Sequence, residues 1–399
     1  MSKNNTILEW INTQEKQMLT ELKSWVNHNT YSENTQGLIS FAKILEKRVK
    51  RLGGTLKTHQ LSSIKTIDSN GSKKEIYTGP ILHIVKRPKA KTKILLSIHY
   101  DTVFPKESSF QHVKKINATT FQGPGIIDAK GGLQILLTAV EAFEKSKNKE
   151  NVGWEIILSP DEEIGSPKSA AFLTKRAKHC DYGLVFEPNL PDGAFVSERM
   201  GSANLKVIAK GKAAHVGRAF KSGENAILAL TDFIQAYRDI NKGSESIINF
   251  GVIKGGTASN VVPDFATLDI NIRDKKKVTM IRQLKLIQTI ISALNKKKPA
   301  KLSLFEKSIR VPKPFTPKTK KLFNDFKKIS DECGFEFKTK PTGGVCDGNI
   351  LNDAGLPTID TLGAMGSGIH TSKESLIASS LTQKTMLCYL FLESQTTKH

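Results

Sequence analysis

Between Ser202 and Lys307 the apolar residues keep switching between two periods, and no other feature of the chain limits its fold as tightly. SANLKVIAKG (202–211) has the pattern of a strand, and GENAILALTDFIQAYRDI (223–240) has apolar residues at helical spacing. SIINFGVIKG (246–255) and FATLDINIRD (265–274) predict two further strands, VTMIRQLKLIQTIISAL (278–294) a helix, and AKLSLFEK (300–307) a closing strand. The order βαββαβ is that of a ferredoxin-like sandwich, which closes on itself at about this length.

The flanking sequence reads differently. An N-terminal segment carries Ile7, Trp10, Ile11, Leu19, Leu22, Trp25 and Val26 at helical spacing, and a second helical pattern runs from Gly37 to Leu52. Strand-like runs follow at PILHIV (80–85), KILLSI (93–98) and GWEIILS (153–159). Between the last two, Gly131 to Ser146 predicts a helix with Leu133, Leu136, Leu137, Val140 and Phe143 on one face. A strand, a helix and another apolar strand in succession imply a sheet with parallel members covered by helices. From Thr316 this alternation resumes, with KLFNDFKKISDECG, PTIDTLG and a closing helix from about Leu381. We therefore expect a discontinuous α/β domain, 1–198 and 310–399, interrupted by one inserted unit, 199–309. For 399 residues this matches ordinary domain sizes.

Charge complicates the picture. Lys and Arg number 60 against 38 Asp and Glu, a formal net charge of +22, yet Asp161, Glu162 and Glu163 stand side by side in ILSPDEEIGSP. Three adjacent carboxylates repel one another and need positive charge nearby. An isolated DEE is most often a solvated turn. Here it follows a strand that ends near Ser159, and loops at the carboxyl ends of strands are where α/β sheets place their sites. KILLSIHYDTVF likewise ends a buried strand with His99 and Asp101, which share a strand face. Asp101 can then hold one imidazole nitrogen while the other faces a metal, although an HxD can equally be a structural pair. In GPGIIDAKGG, Asp128 either caps the following helix or bridges two cations with its two oxygens. YGLVFEP (182–188) delivers Glu187 at another strand end, and LGAMGSGIHTSKES places His370 in a glycine-rich loop.

His99, Asp128, Glu163, Glu187 and His370 thus fall in loops that the pattern puts on one sheet edge. Two imidazoles and three carboxylates suit a pair of Zn²⁺ or similar divalent ions. With Glu162 counted, four carboxylates offset four positive charges.

The remaining composition excludes other classes. The lysines are spread without interleaved aromatics or a recognisable motif, which argues against a dedicated nucleic-acid binder. Apolar runs such as LQILLTAV fall short of a membrane span, and the N-terminus lacks signal-peptide features, so we expect a cytoplasmic protein. Cys180, Cys333, Cys346 and Cys388 have no metal-ligand spacing and read as free thiols.

Eight segments in order, HYDTVF, GPGIIDAKGG, SPDEEIGS, FEP, GKAAHVGRAFKSGENAI, GGTASNVVPDFATLDINIR, TGGVCDGN and GAMGSGIHTSKES, resemble the two-zinc, aminopeptidase-fold family of glutamate carboxypeptidase, acetylornithine deacetylase, succinyl-diaminopimelate desuccinylase and aminoacylase. The likeness runs from about residue 90 to 376 and is strongest to the glutamate carboxypeptidase branch. It implies a mixed sheet with helices on both faces and two divalent ions per subunit, Zn²⁺ first, with Co²⁺ and Mn²⁺ as alternatives. Asp128 is then the bridge, with His99 and Glu187 at one ion and Glu163 and His370 at the other. Glu162 becomes the general base and Asp101 the residue orienting His99; the peptide bond after Asp128 is often cis.

The resemblance also implies a homodimer formed through 199–309, whose His215 reaches the partner's active site to polarise the scissile carbonyl. Asn260, Arg273 and, on a looser match, Arg310 become substrate-side residues. Without it, His215 reads as a surface histidine, Asn260 as a turn former and Arg273 as an exposed ion pair. The implied activity is cleavage of an amide bond in a small peptide or N-acyl amino acid. Release of a C-terminal glutamate-type residue is favoured over deacylation or desuccinylation, and the basic surface suits an anionic substrate. A non-catalytic binding protein that keeps this fold is the reading of a different class, and it would have lost a ligand or the base.

Overall fold

The structure is a computed structural model that describes residues 3–68 and 71–397. Along the strand Thr92–His99, Ile94, Leu96 and Ile98 belong to one apolar cluster while Leu95 belongs to another on the opposite face. A strand that is apolar on both faces must be covered twice. It lies within a six-stranded sheet in the order Thr55–His59, Ile81–Lys86, Val152–Ser159, Thr92–His99, Tyr182–Val185, Thr358–Ile359. The first two contacts of that order are antiparallel and the last three parallel, so the sheet is mixed.

Helices cover both faces. On one side Leu22, Trp25 and Val26 of Glu15–Val26, the helix Gly132–Phe143 and the closing helix Ser379–Ser394 share the main core with Leu96 and Ile156. On the other, Leu173 and Ala177 of Ser169–Ala177 and Leu351 of Asp347–Asp353 pack on Leu95, Ile157 and Val185. Each such aliphatic side chain contributes about 1.5–3 kcal/mol by leaving water. Truncating one, as in Leu96→Ala, would cost about 2–5 kcal/mol.

The helix expected over 131–146 spans Gly132–Phe143, and its burial is wider than a single stripe. Gln134, Ile135, Thr138 and Ala139 are buried as well, because Ser379–Ser394 and the N-terminal helices Lys3–Thr13 and Glu15–Val26 pack against it. Gln134 stays satisfied there by donating to Met18 O at 3.2 Å and Glu21 Oε2 at 2.9 Å.

The insertion follows its pattern closely. Its four strands, Gly201–Lys210, Ile247–Gly255, Phe265–Asp274 and Lys301–Arg310, form one antiparallel sheet with the second strand at one edge and the fourth at the other. Ala203, Leu205, Val207 and Ala209 point to the face covered by the helices Ala226–Ile240 and Lys277–Lys297, whose Leu230, Phe233, Ile287 and Ile290 complete a separate core. Asn225 starts the first helix by accepting the Leu228 amide at 3.0 Å. Where the chain enters and leaves this unit, Arg199 and Lys313 pair through their backbones at 3.0 and 2.9 Å. Both side chains meet the buried Asp360 carboxylate, at 2.7 and 3.1 Å, which pins the two connections together.

No helix among the described residues is long and apolar enough to cross a membrane. The three central parallel strands end on one side of the sheet, and there the site is built.

Candidate metal centre

Thr92–His99 pairs in register with Val152–Ser159, so His99 sits opposite Ser159, and the turn after Ser159 carries Glu162 and Glu163 to the same edge. Tyr182–Val185, on the other flank of Thr92–His99, leads directly to Glu187. Asp128 lies in a wide turn, Ile126–Gly131, that precedes the helix Gly132–Phe143, and the Asp128–Ala129 peptide bond is cis. Gly125 enters that turn with φ +68°, and a Cβ there would stand 2.4 Å from Thr102 Cγ2. His370, at φ +63°, arrives from the loop between the short strands Gly366–Ser367 and Ser375–Ile377.

These loops bring the five expected ligands together. Asp128 presents one oxygen to each imidazole: Oδ1 lies 3.1 Å from His99 Nε2, and Oδ2 lies 3.2 Å from His370 Nε2. Glu187 Oε2 stands 3.7 Å from His99 Nε2, and Glu163 Oε2 stands 3.1 Å from His370 Nε2. One donor atom from each of His99, Asp128 and Glu163 falls within 4.8 Å of the others.

The electrostatics show what the cluster lacks. Burial lifts the Glu162 carboxyl well above its ordinary range, although the Arg310 charge works against it. Burial, with the Asp128 charge, pushes Glu163 up to about 7, and Glu187 is raised by burial too. His370 rises to about 11 through its hydrogen bonds to Asp128 and Glu163. Burial alone would lower His99, but the Glu187 charge and the contacts to Asp101 and Asp128 hold it well above the usual imidazole value. Against the penalty of burial, the two imidazoles keep Asp128 below the carboxylate range. Glu163 Oε1 and Glu187 Oε1 are buried with no hydrogen-bond partner. A site short of positive charge, with orphaned carboxylate oxygens and two imidazoles, fits a pair of divalent cations.

Asp101 does more than its spacing suggested. Its backbone and side-chain oxygens lie 3.1 and 3.3 Å from His99 Nδ1. The carboxylate also accepts the amides of Glu162 and Glu163, both at 3.1 Å, and the Ser32 hydroxyl at 2.8 Å. One buried group therefore sets both the first histidine and the acidic turn. Asp161, the first of the three adjacent acids, turns away and accepts the amides of Lys168 and Ser169 at 2.8 and 3.2 Å, capping the next helix. Glu374 is a buried acid that sequence reasoning passed over; it accepts the amides of Ile127 and Asp128 at 3.0 and 3.1 Å. Its only sequence signal is its place four residues after His370 in GAMGSGIHTSKES.

A cavity of about 720 Å³ opens beside the cluster, between the main domain and the bare face of the insertion sheet. Glu162, Glu163 and His370 line it together with Asn204, Asn271 and Arg273 of the insertion. Arg273 donates to Asn271 Oδ1 at 2.9 Å and to Gly343 O at 3.0 Å. Arg310, also at the cavity, spends Nη2 on protein oxygens: Glu162 Oε1 at 2.9 Å, Ser166 Oγ at 2.6 Å and Asp347 Oδ1 at 3.3 Å. Its Nε is buried without a partner. His215 and Asn260 are absent from the cavity lining. Both are exposed on two adjoining loops of the insertion, bridged at His215 and Val261, where His215 Nδ1 accepts the Gly217 amide at 3.1 Å and Asn260 O accepts the Val216 amide at 3.0 Å.

Comparison with known proteins agrees with this architecture. Residues 197–299 match the model of the M20 peptidase dimerisation domain. The chain is 26% identical to carboxypeptidase G2 of a Pseudomonas species over 388 residues, covering 94% of this chain and 88% of that protein. It is 26% identical to succinyl-diaminopimelate desuccinylase of Pelagibacter ubique over 316 residues, 72% of this chain and 79% of the relative. The solved M20 family metallo-carboxypeptidase Sso-CP2 of Sulfolobus solfataricus superposes with a TM-score of 0.71 at 16% identity, covering 95% of this chain and 99% of that one. An inserted domain matching that family model, a relative similar over nearly its whole length and the same fold around a clustered set of acids and histidines all relate the chain to the M20 peptidases.

Proposed function

We propose that the protein is a dinuclear metal-dependent exopeptidase that releases a C-terminal acidic residue from a small peptide or N-acyl amino acid. The observation that carries this is Asp128, whose two oxygens each face a different imidazole while Glu163 and Glu187 keep one buried oxygen apiece without a partner. His99, Asp128 and Glu187 would hold one ion, and His370, Asp128 and Glu163 the other. Zn²⁺ suits this donor set best, with Co²⁺ and Mn²⁺ as alternatives. When bound, such a pair supplies Lewis acidity and acidifies a shared water.

The protein's own groups do the rest. Glu162 takes a proton from the attacking water and returns it to the leaving nitrogen. Arg310 holds one Glu162 oxygen in place, so we assign it to positioning the base, and we assign the substrate carboxylate to Arg273, which faces the open cavity. Carboxypeptidase G2 as a relative and the +22 charge both support an anionic substrate.

We further propose that the protein works as a homodimer. The strand Ile247–Gly255 is an edge with one side unpaired, and it exposes Ile247, Val252 and Ile253. In such a dimer His215 of one subunit would stabilise the developing oxyanion in the other.

Amino-acid release from N-acyl-glutamate, N-acetylornithine and N-succinyl-diaminopimelate, with and without chelator, tests the reading. We expect chelator-sensitive turnover that is fastest on the glutamate compound. Faster release from acetylornithine or succinyl-diaminopimelate would replace the carboxypeptidase assignment with a deacylase or desuccinylase one.

A further inference from the structure

Away from the metal cluster, a second cavity of about 190 Å³ lies between the closing helix Ser379–Ser394 and the helix Pro317–Glu332. Its walls include Phe195, Phe335, Met365 and Leu387, and the flanking helices add the exposed Gln383 and two buried polar residues, Lys384 and Ser330. Lys384 is 7% exposed, and among the described residues no hydrogen bond or ion pair holds its ammonium group, which sits 4.1 Å from the centre of the Phe195 ring. Ser330 is 1% exposed and its hydroxyl is buried without a partner.

The acids at the same cavity are already engaged. Glu336 pairs with Lys338 at 2.6 Å, and Asp192 pairs with Lys340. The Lys384 stem is packed away while its ammonium opens onto the cavity with no anion beside it among the described residues, a place where methionine would fill the same space. Burial lowers Lys384 to about 8, so it still carries its proton at neutral pH.

We infer that this cavity is a binding site for a small carboxylate with an apolar body, its anionic end on Lys384 and Ser330 and its body against Phe195, Phe335 and Leu387. The volume suits a ligand of about ten heavy atoms, such as an aromatic or medium-chain carboxylic acid. Met365 connects this site to the metal cluster. It lines the cavity, accepts the Ile377 amide at 2.9 Å, and immediately precedes the strand that leads to His370.

Benzoate and hexanoate are suitable probes, with benzamide as the neutral control, titrated into the metal-loaded full-length protein and followed by thermal shift and ligand-observed NMR. Because the active-site cavity could also hold a carboxylate, the titration is repeated on Glu162→Gln and on Arg273→Gln. We expect saturable binding of benzoate that persists in both, is weakened at least tenfold in Lys384→Met, is weakened several-fold in Ser330→Ala, and is not shared by benzamide. Lys384→Met should fold and melt close to the parent, since it keeps the packed stem and removes a charge that no group among the described residues pairs. Equal benzoate affinity in the parent and Lys384→Met, equal affinity for benzamide, or no saturation by 20 mM or so would overturn the inference.

Discussion

In the insertion, the core-facing positions of the strand Gly201–Lys210 are Ala203, Leu205, Val207 and Ala209, and local pattern, helix capping and packing agree with one another. At the carboxyl edge of the main sheet they conflict. Glu162, Glu163, Glu187 and Glu374 are buried near one another, burial lifts each of them, and His370 adopts a backbone conformation that few non-glycine residues take. The first region is shaped for its own stability and the second for a partner that is not protein. Breaks in local consistency mark functional sites, and here they fall together on one edge.

The largest effect should come from the edge. Glu162→Gln is expected to lower turnover by roughly two to four orders of magnitude while metal content, measured by elemental analysis, stays near the parent value. Loss of metal along with activity would move Glu162 from base to ligand. Next is the contribution of the insertion. Co-expressing Glu162→Gln with His215→Ala should restore activity above either variant alone, because one site in the mixed dimer then keeps an intact Glu162 and receives an intact His215 from its neighbour. No recovery, with mixed dimers shown by native mass spectrometry, would mean that His215 does not act across subunits.

Asp101→Asn sharpens the comparison from inside the edge. It weakens the hold on His99 and on both acidic-turn amides, and we expect metal affinity to fall by about 10- to 100-fold in a competitive chelator titration. An unchanged affinity would reduce Asp101 to a packing role. The smallest effect belongs far from the site, where Glu144 shows what a paired acid does. Burial would raise it, but hydrogen bonds from Arg87, Lys86 and Trp154 outweigh that and hold it at about 2. Its folded value lies below its unfolded one, so its contribution is complete at neutral pH and is lost as the pH falls from about 4.5 towards 2. Glu144→Gln should remove about 1–2 kcal/mol of stability at pH 7 and less at pH 3, measured by urea denaturation at the two values.

How far the sequence could be read follows from the same contrast. The βαββαβ order of the insertion and the three strands ending at His99, Ser159 and Val185 rest on periodicity, which each segment carries by itself. Residue type and position at strand ends marked His99, Asp128, Glu163, Glu187 and His370 as candidates, because the topology sends those loops to one edge. What stayed hidden depends on contacts between distant segments. Nothing local says that Asp101 receives two amides of the acidic turn, that Asp161 turns aside to cap a helix, or that Arg310 settles on Glu162. The wide burial of Gly132–Phe143 was hidden for the same reason, since it depends on where the first two helices and the last helix of the chain pack.

The central claim is that Asp128 stands between two cations. Crystals grown with Zn²⁺ and measured on both sides of the zinc absorption edge test it directly. Two anomalous peaks flanking the Asp128 carboxylate, one beside His99 and Glu187 and the other beside His370 and Glu163, are the predicted result. A fully loaded crystal with no peak at Asp128, or with its zinc bound elsewhere, would contradict the account.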